Sequence, residues 1–113
     1  MTSSHVIDIA REFSRYPGGR SRADGPHSGE EFLESLLKPR LLAAMRHGDK
    51  LIVLLDGVAG LPASFLDAAF GGLIRNRVVT ADEAGRFIEL QALTPRVQIY
   101  PKLIKEYMGI RKA

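Results

Sequence analysis

The sequence predicts an α/β fold, a mixed sheet of about four strands with packed helices. Three observations carry that expectation. Residues 51–55, Leu-Ile-Val-Leu-Leu, are an unbroken apolar run bounded by charge and by Gly57. This is the pattern of a central strand buried on both faces. Apolar stripes at helical spacing lie on either side of the run. The chain then alternates strand, helix and strand through short connections, which implies a mostly parallel or mixed sheet.

Each element has a local reason. "HVIDIA" at the start reads as a first strand with Ile7 and Ile9 on one face. "RYPGGRSRADGPHSG" follows, with turn signals at Pro17-Gly18-Gly19 and at Asp24-Gly25-Pro26. The residues between them, 20–23, are a candidate short second strand paired back on the first. Ser28 with Glu31 three residues on is a capping box that opens a helix. Phe32, Leu33, Leu36, Leu37 and Leu41 make its stripe, Pro39 is expected to kink it, and Gly48 ends it. After the central strand a second helix runs from about Ser64 to Arg75. Phe65, Leu66, Ala69, Phe70, Leu73 and Ile74 share its inner face, and the small Ala68, Gly71 and Gly72 invite a close approach. Thr80 and Glu83 form another capping box, good for a turn or two. "RFIELQA" is the last strand. Thr94-Pro95 leads into a final helix whose start Pro101 pushes toward Tyr100. Val97, Ile104, Tyr107 and Met108 are its apolar positions, and Gly109 its C-cap.

A chain of 113 residues suits one domain, and 45% apolar residues suffice for a core. No run is long enough to cross a membrane. The first residues carry Asp8 and Glu12 where a secretory signal needs an apolar segment, so they read as mature sequence. Cysteine is absent, which excludes disulfides and thiolate chemistry and is consistent with the cytoplasm. Net charge is +3, from 16 basic and 13 acidic residues, less than nucleic-acid binders usually carry. The bases cluster, however: Arg11, Arg15, Arg20 and Arg22 early, and Arg96, Lys102, Lys105, Arg111 and Lys112 late. A nucleic-acid-binding regulator using both clusters is the alternative reading.

Little in the chain looks catalytic. His5, His27 and His47 share no ligand spacing, so no metal is expected. His47, beside Gly48, reads as a helix-end cap. "PGGRSRADG" matches neither dinucleotide nor P-loop spacing, and no cofactor is expected. Arg20 and Arg22 are candidate anion contacts, the competing account being a tight hairpin with solvated arginines. Ser64 carries the sharper question. With Asp67 three residues on it fits a capping box, a contribution of roughly 1 kcal/mol. A hydroxyl at a helix start is equally well placed for phosphorylation, which would add about −1.5 to −2 charges there.

"YPGGRSRADGPHSGEEF" together with "DGVAGLPASFLDAAFGGLIR" resembles a STAS-like family of uncharacterised bacterial proteins. The resemblance spans about residues 6–90. More remotely, the strand, loop and helix of residues 51–75 resemble STAS domains of anti-sigma-factor antagonists. That resemblance implies a single STAS-like domain over 1–113 and a regulatory, non-enzymatic role in signalling. In the antagonists a histidine-kinase-like (GHKL-type) ATPase phosphorylates a serine that aligns with Ser64, and the phosphate breaks binding. Pro62, Ala63 and Phe65 stand where those proteins have Asp, Ser and Gly. The partner surface so implied is Gly60, Pro62, Phe65, Asp67, Ala68 and Phe70, joined by the Arg20 loop. The loop itself is this family's own addition. A homo-oligomer stays open.

Overall fold

The computed structural model describes residues 5–110. Arg111 and Lys112, part of the late basic cluster, lie outside them.

Three strands form one parallel sheet in the order β1-β2-β3. They are β1 (Val6–Asp8), β2 (Leu51–Leu54) and β3 (Ile88–Gln91). Val6 pairs with Ile52, and Leu51 with Ile88. β2 is central, as its apolar run predicts. The count and sense differ from the expectation of about four strands in a mixed sheet. The missing strand is the candidate at 20–23. Those residues instead enter a single 3-10 turn (Arg22–Asp24), because the Asp24 carboxylate takes the N–H groups of both Arg20 and Ser21. Backbone donors used in that way cannot join a ladder.

Five helices accompany the sheet. α1 (Ile9–Glu12) is one turn directly after β1. α2 covers residues 29–46 without a break, as Gly29–Phe32, a wide π turn Leu33–Leu37, and Lys38–Arg46. Pro39 does not end the helix: the Lys38 N–H reaches the Leu33 carbonyl, five residues back, just before the residue that has no N–H to give. α3 covers 63–75, with its own wide turn at Asp67–Gly71. α4 (Ala81–Phe87) opens on the Thr80–Glu83 capping box and runs straight into β3. α5 (Tyr100–Tyr107) follows a 3-10 turn, Pro95–Val97. Among the described residues no helix is long and apolar enough to cross a membrane.

Leu51 and Val53 face the helices and are buried, whereas Ile52 and Leu54 on the other face are only half-buried. β2 is therefore covered fully on one face, not on both. The core between sheet and helices is built from Ile7, Ile9, Phe32, Leu37, Leu41, Phe65, Phe70 and Leu73, each fully buried. Phe13, Phe32, Phe65 and Phe70 stack through it at centroid distances of 5.2 to 6.1 Å. Glycines let the helices close on one another. A Cβ on Gly29 would lie 2.6 Å from the Phe65 carbonyl, and one on Gly72 would lie 2.8 Å from Leu33 Cδ2.

Candidate functional site

Parallel strands deliver their following loops to one end of the sheet, and sites in α/β proteins gather there. Three segments meet at that end here: 13–28, 55–62 and 92–99. The stitching is polar. Asp56, two residues past β2, accepts the N–H groups of Leu93 and Thr94 at 3.0 and 2.6 Å. Hydrogen bonds from Thr94 and Leu93 hold its carboxyl below the usual carboxylate range. Arg96 donates to the Val58 and Ala59 carbonyls at 2.7 and 3.0 Å, and Arg15 to the Gly57 carbonyl at 3.3 Å. The Ala59 N–H reaches the Arg15 carbonyl at 2.7 Å. The Leu61 N–H donates to the Tyr100 hydroxyl at 3.2 Å.

These bonds frame an apolar cleft of about 430 Å³ lined by Tyr16, Pro17, Ala59, Gly60, Leu61, Pro62 and Tyr100. Tyr16 projects from its rim with 73% of its surface exposed, and Leu93 and Ile99 are exposed on the adjoining segment. The sequence reading missed Tyr16, Tyr100, Leu93 and the Asp56 clasp. An aromatic beside a breaker (Tyr16-Pro17) was the available signal.

Ser64 sits beside this cleft, half-buried and in the first turn of α3. It does not cap the helix. The N-cap is Pro62, in extended conformation with no side-chain acceptor, and the Leu66 N–H bonds to the Pro62 carbonyl at 3.1 Å. The capping box read from Ser64 and Asp67 is therefore not formed, because the helix begins two residues earlier than that pattern requires. Asp67 is committed elsewhere. Its carboxylate takes Arg20 at 2.6 Å and Arg75 at 2.8 Å. Those two guanidinium groups, Arg20 first, hold its carboxyl below the ordinary range.

In the Arg20 loop both arginines are half-exposed and each holds one carboxylate of the fold. Arg20 is paired with Asp67, and Arg22 with Glu34. The pairing with Glu34 raises the Arg22 pKa above its ordinary value. The loop backbone runs across the start of α2: the Gly29 N–H bonds to the Gly19 carbonyl and the Glu30 N–H to that of Arg20, at 2.9 and 3.0 Å. Ser28 does cap α2, taking the Glu31 N–H at 3.1 Å. The N–H groups of Gly29, Glu30 and Glu31 are thus all taken within the fold.

The other candidates divide by burial. Gly60 and Pro62 line the cleft. Phe65 and Phe70 have no exposed surface, and Ala68 is buried where α2 crosses α3. These three belong to the core beneath the surface and shape it from within. At the far end of the sheet His5 and His47 stack at 5.3 Å, with Asp49 3.5 Å from His5. His47 Nδ1 bonds the Ala43 carbonyl, closing the end of α2. His27 instead packs edge-on against Phe13.

A family model described as a STAS-like domain of unknown function matches residues 28–83. That stretch runs from the Ser28 cap through α2, β2 and α3 into α4. Neither a curated protein nor a solved structure matches the chain.

Proposed function

The chain belongs to the STAS-like domain family, and on that premise we propose that it is a non-enzymatic regulatory module docking a protein partner at the carboxyl end of its sheet. The observation that carries the reading is the start of α3. An uncapped helix N-terminus, with a serine in its first turn, borders an apolar cleft rimmed by an exposed tyrosine. The cleft and the exposed Leu93 and Ile99 supply apolar area for a partner. Gly60 and Pro62 line it and Ser64 follows two residues on, with Phe65, Ala68 and Phe70 buried in the helix behind. Ser64 is the phosphoacceptor in this reading and the partner a histidine-kinase-like ATPase. The γ-phosphoryl of ATP passes to Ser64 Oγ, ADP leaves, and a base of the partner takes the hydroxyl proton. The phosphate would find first-turn N–H groups without a side-chain cap, and its charge would spoil an otherwise apolar contact.

The nucleic-acid reading is weakened by the same geometry. Arg20 and Arg22 are ion-paired to Asp67 and Glu34, so the early cluster offers less free charge than its spacing suggests.

The test is affinity capture with three baits: wild type, Ser64→Asp and Tyr16→Asp, the last an exposed residue of the cleft rim. Partners held by wild type and lost by Tyr16→Asp support docking at the cleft. Loss with Ser64→Asp as well, where the partner is an ATPase of that class, supports the switch. If all three baits retain the same proteins, the carboxyl-end reading is wrong.

A further inference from the structure

The two outer strands treat their free edges in opposite ways. In β1 the residues bonded to β2 are His5 and Ile7, as the 2.8 Å bond from the Ile52 N–H to the His5 carbonyl shows. Val6 and Asp8 therefore face outward. Both are covered. The Val6 carbonyl accepts from Arg40 at 2.9 Å, and the Asp8 N–H donates to Glu12 at 3.0 Å. Arg40 and Glu12 are themselves paired at 2.7 Å. An ion pair thus plugs the edge of β1, a recognised way of keeping other strands off.

β3 has no such plug. The Leu55 N–H bonds to the Gln91 carbonyl at 2.9 Å, so Gln91 and Glu89 face β2. Ile88 and Leu90 face outward. The Ile88 N–H is taken by the Ala84 carbonyl at the end of α4. The Ile88 carbonyl and both polar groups of Leu90 have no partner among the described residues. Such groups form a template for one more strand.

We propose that the β3 edge pairs with the same edge of a second copy, antiparallel about a twofold axis at Leu90, to make one six-stranded sheet. Three observations select this occupant. Leu90 is the outward residue with both its N–H and its carbonyl unpaired, so self-pairing there closes two reciprocal bonds. The register then sets Glu89 opposite Gln91 of the other copy, a carboxylate against an amide with no like charges facing. These two side chains already hydrogen-bond within one strand at 3.2 Å, so their polar groups suit one another. Leu93, with 79% of its surface exposed, lies just past the open edge and supplies apolar surface beside the seam. An interface this short is smaller than the roughly 1,200 Å² lower bound of stable complexes, so the dimer forms in a concentration-dependent way.

Two measurements on the full chain test the pairing. The first is sedimentation equilibrium up to millimolar concentration. Gln91→Glu sets carboxylate against carboxylate twice and should weaken the dimer about fivefold, and Gln91→Lys should tighten it by about the same factor. The second uses the absence of native cysteine. Residues 89 and 91 of opposite copies form a non-hydrogen-bonded pair about 4.5 Å apart at Cα, within disulfide reach. Glu89→Cys mixed with Gln91→Cys should cross-link on oxidation. Either variant alone meets its own copy only on the diagonal, about 7–8 Å away, and should cross-link far less. A chain that stays monomeric at millimolar concentration leaves the edge to another protein's strand or to none, and overturns the proposal. So does a dimer indifferent to both charge changes, or cross-linking that ignores the register.

Discussion

The two long helices begin a few ångströms apart, and they begin differently. α2 starts on a buried serine that caps it, under a loop whose carbonyls occupy its next free donors. α3 starts on a proline with no capping side chain, at the wall of an apolar cleft. Two near-identical sequence signals, Ser28 with Glu31 and Ser64 with Asp67, thus lead to opposite outcomes. The difference lies in what precedes them. Upstream of Ser28 the chain turns through Gly25 and His27, both at positive φ, and folds back onto the helix start. Pro62 enters α3 in extended conformation, and the helix takes Ala63 as its first residue. A helix start bound up in backbone bonds is architecture; one left open beside apolar surface is free for a partner.

The sharpest break of this contrast is at Gly29, where the two starts touch. An added Cβ would meet the Phe65 carbonyl, Ala68 Cβ and the Ala69 N–H at 2.6 to 3.0 Å. Two of those atoms are backbone and cannot swing aside. Gly29→Ala should cost about 2–3 kcal/mol through overpacking, read as a lower urea midpoint. An unchanged midpoint would mean the helices cross more loosely than the geometry states.

Ser28→Ala comes next. The hydroxyl is fully buried and its only described backbone donor is the Glu31 N–H. The loss should be about 1–2 kcal/mol. A cost near zero would make the α2 start as open as that of α3, and the contrast would disappear.

A third test separates the loops by pH. Asp67 ties the Arg20 loop to α3, and its carboxyl lies below the ordinary 3.8 because Arg20 and Arg75 favour the charged form. A depressed carboxylate contributes stability that is fully present above its unfolded value and lost as pH falls through the folded one. Stability should therefore drop on acidification through and below the ordinary carboxylate range. Asp67→Asn should flatten that limb while lowering stability near neutrality. An acid limb of the same slope in the variant would show that the Arg20–Asp67–Arg75 cluster is a solvated surface contact.

Much of the fold was legible because it rests on local pattern. The apolar run of β2, the stripes of α2 and α3, and the Thr80–Glu83 box each follow from spacing alone. The failures share a cause, which is competition for backbone groups from residues the pattern does not rank. Asp24 took the donors that a strand at 20–23 would have needed. The N–H missing at Pro39 did not end the helix, which continues through a wider turn just before it. At the site, Gly60, Pro62 and Ser64 were legible as a loop leaving the central strand. Tyr16 and Tyr100 were not, since they come from segments 84 residues apart in number and converge only when the sheet is parallel. Phe65 and Phe70 look alike in sequence whether they face a partner or the core, and packing on Phe32 decides it.

The smallest effect is the most diagnostic for Ser64. If its hydroxyl capped α3, Ser64→Ala would cost about 1 kcal/mol, as Ser28→Ala should. Inside the first turn it caps nothing, and the cost should stay within about 0.5 kcal/mol. Ser64→Asp should then stabilise the chain by a few tenths, about 0.3–1 kcal/mol at low salt, because a carboxylate there meets the positive end of an uncapped helix. High salt should erase the gain. Denaturation of the three proteins side by side reads this directly. A destabilising Ser64→Asp would mean that added negative charge is unwelcome at α3, and the same would then hold for a phosphate. A stabilising one leaves the helix start ready for that charge, so that any loss of partner binding in the same variant reflects the interface and not the fold.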